Sequence, residues 1–106
     1  MTYFDDFAGN FVAAEMKEQK KEETLHYLVR SLKAQRITME GRFSAFLKSK
    51  DLQDLAGVAY YAGKMSATLR ILEKDYGYKD TDGLQNLAWN RVLDAVAVVE
   101  ETKNDW

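Results

Sequence analysis

The chain has 106 residues, of which 46% are hydrophobic and 30% charged, with a formal net charge of −2 and neither proline nor cysteine. That length supports one domain, and the absence of cysteine excludes disulfides, thiolate zinc sites and cysteine nucleophiles. No apolar run approaches the roughly 20 residues that cross a bilayer, so no membrane partner is expected.

Asp5 and Asp6 stand where a secretory signal would carry basic residues, which predicts a cytoplasmic setting. The charge is uneven along the chain. Residues 15–50 carry a net +4 from nine Lys/Arg and five Glu, and residues 51–106 a net −4 from six Lys/Arg and ten Asp/Glu. Such asymmetry suits head-to-tail association or a polyanion-binding face, and equally a scatter of solvated helix faces.

Residues 1–14 read as a short N-terminal amphipathic arm. Phe4, Phe7 and Phe11 fall at i, i+3 and i+7 and so share a helix face. Residues 15–23 are almost wholly polar helix formers with no face to bury, and read as a hinge or as an extension of the next helix. In the second case that helix would reach back to Phe11, be about 58 Å long, and overhang any monomeric core.

The main helix is predicted over 24–49. Leu25, Leu32, Met39 and Phe46 recur at seven-residue intervals, flanked by Leu28 and Phe43. Gln35 and Arg42 hold the alternate seam positions, so the stripe reads as one wall of an intrachain hairpin rather than a free coiled coil.

Asp51 is a predicted N-cap, opening a helix over 51–76 that ends at Gly77. So short a turn makes the two helices antiparallel. The expected buried face of the second helix is Leu52, Leu55, Ala59, Leu69 and Leu72. Ala59, Gly63 and Ala67 form a small-residue ladder, expected to give the closest helix–helix contact and to face the Leu25–Phe46 stripe.

Asp82, with Gln85 three residues on, resembles a capping box for a third helix over 82–103. Its core face is expected at Leu84, Leu87, Ala88, Ala95 and Val99, interrupted by Arg91. From Val92 to Val99 it is apolar nearly all round, which calls for cover by a second chain. The fold expected is thus all-α: an antiparallel helical hairpin plus a third helix, forming a three-helix bundle with an N-terminal arm.

The motifs exclude more chemistry than they support. One histidine and no nucleophile elbow argue against a Ser-His-Asp site, and no phosphate or dinucleotide loop appears. Around YKDTDG, Tyr78 and Trp89 would fall at the end ligand positions of a calcium loop, which neither side chain can fill. No enzyme activity, cofactor or metal is therefore expected.

The leading expectation is a homo-oligomeric adaptor, structural or regulatory, working through protein contacts at Phe4, Phe7, Phe11, Val92, Val96, Val98 and the terminal Trp106. Two other readings compete. Arg30, Lys33, Arg36 and Arg42 could present a basic face to nucleic acid. Glu23 and His26 form an E-x-x-H pair of the kind that carboxylate–histidine metal bundles use, although such a site needs further inward carboxylates.

Overall fold

The computed structural model describes the backbone of residues 3–104 and the side chains of residues 19–101. The described residues form three helices and no strand: α1 (Tyr3–Ser49), α2 (Leu52–Tyr76) and α3 (Leu84–Asn104). This is the expected all-α hairpin with a third helix. The side chains of Phe4, Phe7 and Phe11, and all of Trp106, lie outside the described residues.

The backbone of the arm is not a separate element. α1 runs unbroken for 47 residues through Gly9, the polar 15–23 segment and Gly41. Glu, Lys, Gln and Met all have high helix propensity, and nothing in residues 15–23 caps or breaks the helix. At 1.5 Å per residue α1 is about 70 Å long, against about 37 Å for α2. The molecule is accordingly a rod of 80 × 22 × 16 Å with a radius of gyration of 20.9 Å. A compact domain of this length would have a radius of gyration of about 13 Å.

The core lies between the last half of α1 and all of α2. Leu32, Met39 and Phe46 are buried as their spacing predicts, with Leu25, Leu28 and Phe43 partly so. What faces them is as expected only in the second half of α2. Leu69 and Leu72 are buried as predicted, but the stripe continues through Val58, Ala62 and Met65 rather than through Leu52 and Ala59, with Leu55 half-buried. Leu52 is 63% exposed. The middle of α2 is apolar all round, so composition could not select the buried face.

The polar seam residues find partners. Gln35 Oε1 accepts from Thr68 Oγ1 at 3.1 Å. The stem of Arg42 lies over Gly57, where an added Cβ would come within 3.1 Å of it. Its guanidinium is 4.0 Å from Asp54.

The small-residue ladder is not a helix contact in this chain. Ala59, Gly63 and Ala67 are exposed, and a Cβ on Gly63 would meet nothing within 4 Å. The glycine that admits a close neighbour is Gly57.

The caps are partly as expected. Asp51 accepts from the Gln53 N–H at 2.9 Å, and Gly77 closes α2 at φ 66°. The third cap is Asp80, not Asp82: its carboxylate accepts from the N–H groups of Leu84 and Gln85 at 2.8 and 3.0 Å. Gly83 turns left-handed, at φ 66°, and Asp82 is left exposed. Asp80→Ala should therefore destabilise the protein by about 1 kcal/mol, read as a lower urea midpoint. Asp82→Ala should leave that midpoint almost unchanged.

α3 rests chiefly on α2 and much less on α1; Leu84 and Ala88 join the core cluster, and Ala95 is buried as well. Its polar link to α1 is Arg91. Arg91 Nε donates to Glu40 Oε1 at 2.8 Å, and its guanidinium carbon sits 5.4 Å from the centre of the Phe43 ring. The predicted interruption of the apolar face is thus satisfied across helices.

Candidate interaction surface

Two bands of α2 and α3 meet on the side away from α1 and form a shallow apolar groove. From α2 come Ala59, Ala62, Gly63 and Ser66; from α3 come Gln85, Ala88, Trp89 and Val92. Ala59, Gly63 and Ser66 are successive members of one helical stripe, at i, i+4 and i+7. Their small side chains keep the floor low. Gln85 Nε2 donates to Ser66 Oγ at 2.7 Å and fixes the two helices at one end of the groove.

Trp89 and Val92 form the α3 wall, and Leu93 and Val96 continue their stripe beyond it, at i+4 and i+7 from Trp89. Trp89 is 63% exposed, Leu93 47% and Val96 42%. At about 280 Å³ the groove is smaller than a usual small-molecule pocket and open along one side. Its shape suits a helix laid along it or a few large side chains.

The structure divides the residues singled out from sequence. Val92 lines the groove, and Val96 stands exposed one turn beyond it on the same stripe. Val98 lies two residues beyond Val96, about 200° further round the helix, and is half-buried elsewhere. Trp89 is the most prominent residue of the groove wall, and Leu93 stands exposed beside it. Their spacing with Val96 forms a second apolar stripe, and that spacing is the sequence signal that identifies them.

The basic residues also separate. Arg30, Lys33 and Arg36 are exposed, and none is ion-paired among the described residues. Arg42 lies nine residues from Lys33, about half a turn round the helix, and is directed to Asp54. The four do not form one face. Arg30 and Lys33 instead border a wide depression with His26 and Tyr78.

Glu23 and His26 are both exposed, and no three His, Asp or Glu residues group together among the described residues.

On the opposite side of α2, Lys64 Nζ lies 4.9 Å from the Tyr60 ring centre and 5.9 Å from that of Tyr61. A hydrogen bond with Tyr60 is the main cause holding the Lys64 ammonium above its ordinary pKa.

Among the described residues, no helix is long and apolar enough to cross a membrane. The chain matches no family model, no curated protein and no solved structure.

Proposed function

We propose that the protein is a non-enzymatic helical interaction module that self-associates through the α2–α3 groove and acts as a structural or regulatory adaptor. One observation carries this reading: Trp89 stands exposed beside a floor of alanine, glycine and serine, with Leu93 and Val96 exposed further along the same helix stripe. Tryptophan is enriched among the residues that carry most of the binding energy of protein interfaces. Small floor residues let a partner backbone approach closely, and each large side chain fully buried there contributes about 1.5–3 kcal/mol.

Light scattering on the full chain tests the proposal. A mass at least twice the 12.2 kDa of one chain is expected at micromolar concentration. A clean monomer at high micromolar concentration would sink it.

The depression bordered by His26, Arg30, Lys33 and Tyr78 favours a second reading, an accessory nucleic-acid contact. Cations beside an aromatic ring, here the half-buried Tyr78, are what a single strand requires. If labelled DNA or RNA is not retarded at low salt by tens of micromolar protein, this second reading is wrong.

A further inference from the structure

We infer that the α2–α3 groove is filled by the N-terminal part of α1 from a second copy, each chain lending its arm to the other. This rests on the self-association proposed above and names the segment that carries it.

The first ground is the unmatched length of α1. α2 turns back beside α1 and ends at Tyr76, over whose ring Lys21 Nζ sits at 5.9 Å. The helix continues from there back to Tyr3, eighteen residues or about 27 Å, beyond the end of α2. An isolated helix of that length is marginal in water and gains its stability from packing.

The second ground is the place where the arm leaves. It projects from the end of the bundle that carries the α2–α3 loop. The groove runs inward from the same end, starting at Ser66 and Gln85. Two copies meeting at their loop ends about a two-fold axis would each send an arm along the other's body, and two-fold pairing is the commonest oligomer symmetry.

The third ground is register. Counting from the Lys21–Tyr76 level, Phe11 and Ser66 are each ten residues away, and Phe4 and Ala59 each seventeen. Phe7 and Gly63 are fourteen and thirteen residues away. With the same rise per residue in both helices, the phenylalanine spacing matches the groove floor. Glu15 and Arg70, an exposed residue one turn beyond Ser66, are each six residues from that level and opposite in charge. The exchanged arm would supply a fourth helix to each three-helix body.

Because the chain has no cysteine, engineered disulfides test the contact cleanly. Two double variants of the full chain, Phe7→Cys with Gly63→Cys and Phe11→Cys with Ser66→Cys, would be oxidised and mapped by peptide mass. Both pairs should link between chains at dimer mass. Phe7→Cys with Gly41→Cys, on an open α1 face, should not cross-link. A disulfide requires Cα atoms within about 7 Å, so only true proximity scores.

A link at monomer mass would mean that the arm folds back on its own chain, and would overturn the exchange. A dimer by light scattering with neither link would overturn the exchange and leave self-association standing. A monomer by light scattering, with no link, would remove both. Circular dichroism of each variant, retaining wild-type helicity, secures the comparison. Two independent pairs guard against one substitution that disturbs folding.

Discussion

Leu69→Ala should lower the unfolding free energy by about 2–5 kcal/mol, whereas Leu52→Ala should change it by no more than about 0.5 kcal/mol. The chemical change is the same at both positions. Leu69 is fully buried against the α1 stripe, so its removal costs the transfer of the side chain and leaves a cavity among Leu32, Met65 and Leu72. Leu52 is 63% exposed at the start of α2. Urea titrations at one fixed protein concentration check the pair, since self-association would otherwise shift both midpoints. Equal losses at the two positions would mean that α2 is rotated from the face described. A natural domain has only about 5–15 kcal/mol of net stability, so Leu69→Ala should leave this thin bundle close to unfolding at room temperature.

Trp89→Glu is expected to weaken self-association by at least about thirtyfold while preserving helicity. An interface aromatic of this kind is commonly worth 2 kcal/mol or more, and every 1.4 kcal/mol is about a factor of ten in affinity. The substitution also places a charge where apolar surface would be buried. Exposure of Trp89 in the single chain keeps the folding cost small. Sedimentation or light scattering across a concentration series reads the first effect and circular dichroism the second. Assembly that survives the charge would remove the α2–α3 groove from the interface. Helicity lost in parallel with assembly would place Trp89 in the intrachain core.

The α1 half of the hairpin was legible because its large apolar residues occupy one stripe, with polar residues elsewhere. Leu32, Met39 and Phe46 needed only the seven-residue spacing. α2 was harder: leucine, alanine, tyrosine and valine surround its middle, and the buried face is decided by which side meets α1. The Ala59–Gly63–Ala67 ladder shows the same difficulty. Small residues permit close approach without specifying the neighbour, and here Gly57 meets Arg42 while Gly63 lies open.

The third cap was misplaced by two residues because the left-handed turn at Gly83 brings Asp80, rather than Asp82, beneath the first turn of α3. Composition alone does not announce that Trp89 is exposed, although its spacing with Leu93 and Val96 marks a separate stripe. The Glu40–Arg91 pair joins residues 51 positions apart, and no local pattern encodes such a match.

That pair has a consequence for how α3 finds its place. Apolar contacts with alanine, valine and leucine change little if one helix slides along another by a turn. A slide of about 5.4 Å would carry the Arg91 guanidinium away from Glu40 and from the Phe43 ring, leaving this partly buried charge only the longer, 4.0 Å contact with Asp94 on its own helix. Arg91 therefore acts as an index mark: shifted alignments of α3 are penalised by a lost ion pair, even where the greasy surfaces would accept them. The height of Trp89, one half-turn before Arg91, is set by the same mark.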